Sequence, residues 1–112
     1  MPTSGISLTG LVFLSRGTAA GTQEAGTTRT DMHCEPIANI VFQLHGQKRW
    51  TLVAPEFSGL LRPRISPDGR AYFFSELDPL DPTALAHVPR HEVVTNPGDI
   101  LFIPPWTWHQ VK

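Results

Sequence analysis

The chain has little with which to staple itself, to bind polyanions or to enter a membrane. Its 112 residues include one cysteine, Cys34, so no disulfide closes within it and a reducing compartment is expected, cytoplasmic or nuclear. Nine basic and ten acidic residues leave a formal charge of −1, without the basic footprint that nucleic acid or an anionic membrane surface attracts. The N-terminus lacks a positively charged region, and its longest apolar run, Leu11 to Leu14, is too short for a signal-peptide core or a membrane span. Long uninterrupted stretches are scarce as well, because 9 Gly and 11 Pro punctuate the chain and favour short strands over long helices. The expectation is a soluble, single-domain, all-β protein occupying residues 1–112, of open oligomeric state.

What is present is strand pattern. Residues 8–14 (LTGLVFL) read as a first strand, and residues 15–29 as a Gly/Thr/Ala-rich loop. Residues 30–35 run into Pro36, which ends or bulges a strand. The segments NIVFQL and KRWTLV, separated by His45-Gly46-Gln47, read as a hairpin, so residues 8–55 hold the first strands and that hairpin. Ile40, Phe42 and Leu44 share one face of it, and Lys48, Trp50 and Leu52 share one face of its second strand. Lys48 is then a cation on an apolar face. It either snorkels from the strand end or carries its charge inside. Residues 56–91 form a Pro-, Asp- and Arg-rich insertion with at most a helical turn or two; such a loop is functional or disordered. In residues 92–112 a turn at Asn96-Pro97-Gly98-Asp99 precedes Ile100 to Ile103. Apolar without alternation, these four read as a strand covered on both faces.

Against this frame His33, Glu35 and the distant His109 acquire chemical meaning. Residues two apart on a strand point the same way, so His33 and Glu35 can address one ion while Cys34 turns into the core. Two imidazoles and one carboxylate are the set that holds non-haem Fe(II) on one face and leaves the other open. The remaining histidines, His45, His87 and His91, fall in a turn and in or beside the insertion, and read as solvated. Trp106 and Trp108 read as packing and pocket wall. Arg62, Arg64 and Arg70 read as a solvated face that can border a substrate entrance.

The order of strands, insertion and strand–turn–strand ending in His109 resembles the cupin barrel. Gly98, Pro104 and His109 match the second cupin signature, with Trp106 where the family usually has Gly. His33, Glu35, Asn39 and Gly46 match parts of the first. Residues 27–55 resemble most closely the cupin-like branch of the jumonji-C (JmjC) oxygenases, which includes the asparaginyl hydroxylase of hypoxia-inducible factor. The matching residues are Thr30, His33, Glu35, Asn39, Gly46, Lys48, Arg49 and Pro55, with Glu35 where most members carry Asp.

That resemblance implies a double-stranded β-helix (jelly-roll) in which His33, Glu35 and His109 ligate Fe(II). Lys48 would pair with the distal carboxylate of the cosubstrate 2-oxoglutarate, beside Thr30, and Asn39 would lie near its metal-proximal end. The implied reaction is hydroxylation of a side chain in a protein substrate; the Gly-x-Lys-Arg segment is more like the hydroxylase branch than the histone demethylases. Family members continue beyond the position of His109 with further strands, so a truncated domain, incomplete at the C-terminus and poorly active by itself, is expected. Two other readings stand beside this one. One is a non-catalytic metal- or ligand-binding cupin. The other is a cupin isomerase or dioxygenase that uses Mn, Ni or Zn without 2-oxoglutarate. Lys48 separates them, since only the 2-oxoglutarate reading requires a cation inside the barrel.

Overall fold

A computed structural model describes residues 30–78 and 81–111; the expected strand 8–14 and loop 15–29 lie outside them. The described residues hold eight strands and one 3-10 helix (Pro55–Leu61): β1 Thr30–Cys34, β2 Asn39–Phe42, β3 Lys48–Val53, β4 Pro63–Ile65, β5 Phe73–Ser75, β6 His91–Thr95, β7 Ile100–Ile103 and β8 Trp108–Val111. They form two antiparallel sheets, one of six strands in the order β4-β5-β1-β8-β3-β6 and one of two, β2-β7. The fold is all-β, two antiparallel sheets packed face to face in the jelly-roll manner that the sequence resemblance implies.

The expected hairpin between β2 and β3 does not form. β2 pairs with β7, whereas β3 pairs with β6 and β8, so the two segments lie in different sheets. The chain does bend at His45-Gly46, but alternation marks a strand without naming its partner. At this point the chain crosses between layers, and it crosses back between β6 and β7. Gly46 (φ 64°) and Gly98 (φ 94°) supply the left-handed backbone at these two corners. The corners are tied together: Gln43 N–H donates to the Asp99 carbonyl at 3.0 Å, and Gly98 N–H donates to the Gln43 carbonyl at 2.9 Å. Below them a buried relay runs from the Trp50 indole N–H to the Thr95 hydroxyl (2.9 Å), which donates to Gln43 Oε1 (3.0 Å).

Two cores result. Between the sheets, Trp50, Ile103 and Val111 are buried, with Val41, Leu52, Val93 and Leu101 packed around them. On the other face of the large sheet, Met32, Cys34, Val53 and Trp108 are buried with Leu61 and Val88 from the insertion. The insertion is therefore more structured than its composition indicated. Its 3-10 helix and the turns at residues 82–87 cover that outer face, and β4 and β5 widen the sheet by two strands. Three-residue strands flanked by Pro and Gly carry too little alternation to be read from sequence. Strand β7 also departs from expectation. Leu101 and Ile103 face inward, but Ile100 and Phe102 are exposed, so the strand is covered on one face only among the described residues.

Candidate metal centre

Register brings the two histidines together. His33 on β1 is directly opposite His109 on β8, and their ring centroids lie 4.3 Å apart. The pairing of β1 with β8 shifts register between Thr30, opposite Val111, and His33. Glu35 follows the end of β1, where its carbonyl accepts the Trp106 N–H at 2.7 Å, fixing it to the turn before β8. One carboxylate oxygen, Oε1, lies 3.3 Å from His33 Nε2 and 3.6 Å from His109 Nε2. Among the described residues these three form a group whose potential ligand atoms all fall within 4.8 Å of one another.

The opposite ring nitrogens decide the protonation pattern. His33 Nδ1 lies 2.7 Å from the Asp31 carbonyl and His109 Nδ1 lies 3.0 Å from the Thr107 carbonyl. A carbonyl only accepts, so each Nδ1 is the donor in these contacts, and each Nε2 is the ring atom that faces Glu35. His109 is buried, and that desolvation pulls its pKa below the ordinary imidazole value. The His33 ring adds to the fall, while the Thr107 carbonyl and Glu35 oppose it. Two imidazole nitrogens and a carboxylate oxygen thus converge in a partly dry site, the arrangement that ligands of one cation take. The donor set therefore fits a divalent transition metal, with imidazole Nδ1–H bonds to backbone carbonyls of the kind that orient metal-bound histidines.

The surroundings divide by face. Strand alternation turns Cys34 to the outer core, where burial pushes its thiol pKa up to about 11. Trp108 is buried beside it, and its indole N–H donates to Ser58 Oγ at 2.8 Å. Trp106 is half exposed and adopts a left-handed backbone (φ 62°), which explains why this position suits Gly. On the metal-facing side, sequence reasoning missed two neighbours. Phe74 on β5 is directly opposite His33, and Phe74 and Tyr72 hold their ring centroids 6.1 and 6.3 Å from that of His33. Both belong to the insertion, and no motif placed them at the site.

The expected cosubstrate residues stand on three different strands. Lys48, half-buried, shares the inner face of β3 with Trp50 and Leu52. Leu52 is opposite His109. Asn39, half-buried, opens β2 opposite the inward-facing Ile103. Thr30 is exposed at the start of β1, and its hydroxyl accepts the Val111 N–H at 3.1 Å. His45, His87 and His91 are exposed.

This architecture agrees with comparison to known proteins. A family model described as "Cupin-like domain" matches residues 21–112, and the chain belongs to that family. HSPB1-associated protein 1 of Homo sapiens is 38% identical over 80 residues, which is 66% of this chain and 16% of that protein. Jumonji C domain-containing protein 5 of Drosophila melanogaster is 34% identical over 91 residues, 79% of this chain and 22% of that protein. tRNA wybutosine-synthesizing protein 4 of Gibberella zeae is 31% identical over 85 residues, 76% of this chain and 8% of that protein. The domain is of JmjC cupin type, and the chain spans about a sixth of the length of HSPB1-associated protein 1. No helix among the described residues is long and apolar enough to cross a membrane.

Proposed function

We propose that this domain is an Fe(II)- and 2-oxoglutarate-dependent oxygenase that hydroxylates a side chain of a protein substrate. The observation that carries this reading is the convergence of His33, Glu35 and His109 with both Nδ1 protons committed to backbone carbonyls. These three residues would hold the iron, and the bound metal with 2-oxoglutarate would supply dioxygen activation coupled to decarboxylation. The chain's own contribution is positional. Asp31 and Thr107 fix the two rings, the burial of His109 limits water, and Tyr72 and Phe74 wall the side next to His33.

Lys48 supports the cosubstrate assignment by position. It lies four residues along β3 from Leu52, roughly 13 Å of strand, a distance that a five-carbon diacid and an extended lysine span together. A dicarboxylate entering this interior needs such a cation, because an unpaired buried carboxylate is strongly disfavoured. Thr30 and Asn39 are assigned to the same cosubstrate. A protein substrate is also in keeping with the human relative, whose name marks association with a protein, HSPB1. The fungal relative is named for tRNA modification, but the −1 charge of this chain gives RNA no electrostatic footing here.

The test is anaerobic Fe(II) titration by calorimetry, followed by succinate release from 2-oxoglutarate in air. Iron binding that His33→Ala abolishes, with 2-oxoglutarate affinity that falls at least tenfold in Lys48→Ala, is expected. Iron binding without any 2-oxoglutarate affinity would favour the non-catalytic cupin. Failure to bind any divalent metal would overturn both.

A further inference from the structure

A second cleft opens between the outer face of the large sheet and the insertion. It encloses about 310 Å³, at the small end of the roughly 300–1,000 Å³ of ligand sites. Its floor is a cross-strand row: Glu92 on β6 is directly opposite Thr51 on β3, which is directly opposite Gln110 on β8. Alternation puts Thr51 on the side of Val53 and Gln110 on the side of Trp108, both in the outer core, so the row faces away from His33 and His109. Thr51 is only 7% exposed. Its hydroxyl has no hydrogen-bond partner among the described residues, and because no sealed side-chain oxygen there lacks one, it opens into the cleft. The Gln110 amide also lines the cleft without a partner among the described residues. A hydroxyl seated this deep bonds to whatever enters.

We infer that this cleft binds a primary ammonium carried on an aliphatic stem. Charge disfavours an anion: the carboxylates of Asp31, Asp78, Asp81 and Glu92 line the cleft against the guanidiniums of Arg64 and Arg90. Arg90 is moreover turned back on the chain, donating to the Leu85 and Val88 carbonyls at 2.7 and 3.3 Å and lying 3.6 Å from Glu92. Spacing disfavours a metal ion, because among the described residues the only group of His, Cys, Asp or Glu side chains close enough to share one is His33, Glu35 and His109. What remains is a cation that donates hydrogen bonds. Neighbouring strands stand about 4.8 Å apart, and the longer Glu92 and Gln110 side chains flank the short Thr51. An ammonium over Thr51, with three donors and no acceptor, therefore reaches the hydroxyl oxygen, Gln110 Oε1 and the Glu92 carboxylate together. Met32, Ala84 and Leu85 give its methylene stem an apolar wall. None of these residues is a candidate metal ligand, so the site is independent of the iron reading.

The experiment is an amide NMR titration of the 112-residue chain at low salt with a metal chelator present. Putrescine stands for a free amine, Nα-acetyl-lysine methylamide for a lysine of a protein, and butanediol is the uncharged match. Saturable binding of at least one amine, with butanediol inert, is expected, and the preference between the two amines tells which source the cleft accepts. Thr51→Val, which keeps the side-chain shape, and Glu92→Gln, at an exposed position, should each weaken binding about fivefold, while His33→Ala leaves it unchanged. Glu92→Gln decides alone if Thr51→Val does not fold. No saturation by either amine, equal binding of butanediol, or full affinity in either folded variant overturns the inference. Binding lost in His33→Ala would place the amine at the metal centre instead and would equally overturn it.

Discussion

The two sheets solve the same problem differently. The six-stranded sheet is covered on both faces, by the small sheet on one side and by the insertion with Leu61 and Val88 on the other. Among the described residues the two-stranded sheet is covered on one face and leaves five large apolar side chains on or beside the other. The candidate ligands His33 and His109 stand on the doubly covered sheet. Metal ligands must be held to within a fraction of an ångström, and a strand packed on both sides cannot bend to follow the ion. The half-covered sheet carries neither histidine. Rigidity and exposure are thus assigned to different layers of one small domain.

The comparison is most severely tested by matched truncations in the two layers. Trp108 is 1% exposed in the doubly covered sheet, and Trp108→Ala should destabilise by about 3–5 kcal/mol through the cavity and the lost bond to Ser58. Phe102→Ala, on the open face, should cost less than about 1 kcal/mol in dilute solution. Chemical denaturation of both variants measures the contrast, and equal losses would mean that the open face is covered within one copy.

Next in size is the ligand set. His109→Ala removes a donor that no neighbour replaces and should lower divalent-metal affinity by more than about 100-fold, exceeding the range for loss of an orienting bond. His91→Ala, on an exposed strand of the same sheet, should leave it unchanged. Calorimetric titration of the two variants side by side separates ligation from general damage to the sheet.

These contrasts also show what the amino-acid pattern could and could not convey. The spacing of His33 and Glu35 and the distant His109 were legible because ligand chemistry demands particular residue types, and those types survive in the sequence. The strands β6 and β7 were legible from the strand–turn–strand pattern around Asn96–Asp99. Partners were not, because alternation records two faces and says nothing about which strand lies alongside; hence NIVFQL and KRWTLV read as a hairpin yet entered different sheets. For the same reason Ile100 to Ile103 read as covered on both faces. The aromatic neighbours Tyr72 and Phe74 were illegible because a three-residue strand in an irregular insertion offers no period to read.

Between the layers, the relay Trp50–Thr95–Gln43 is the polar link holding the sheets' common corner. Thr95→Val keeps the shape and removes both bonds, leaving the Trp50 indole N–H and Gln43 Oε1 without these partners. A loss of about 1–3 kcal/mol is expected, read from the denaturation midpoint, and larger than for Thr83→Val in the exposed part of the insertion.

The smallest effect concerns a single backbone angle. Trp106 holds φ at 62° while its N–H secures the Glu35 carbonyl and its ring lies 5.9 Å from that of Phe73. Left-handed backbone costs a residue with a Cβ roughly 1–2 kcal/mol, and the ring contact returns about 0.5–1.5 kcal/mol. Replacing Trp106 by Gly therefore removes a penalty and a contact of similar size, and the net change from the native chain should be under about 1 kcal/mol. Comparing Trp106→Gly with Trp106→Ala isolates the angle, because both lose the ring and only Gly escapes the penalty. The Gly variant should be the more stable of the two by about 1 kcal/mol, even though Gly at an ordinary angle is the less stable by a similar amount. Ala equal to or better than Gly would show that the turn before β8 relaxes out of the left-handed region once the ring is gone. Glu35 would then be held less firmly beside the two histidines than the 2.7 Å bond implies.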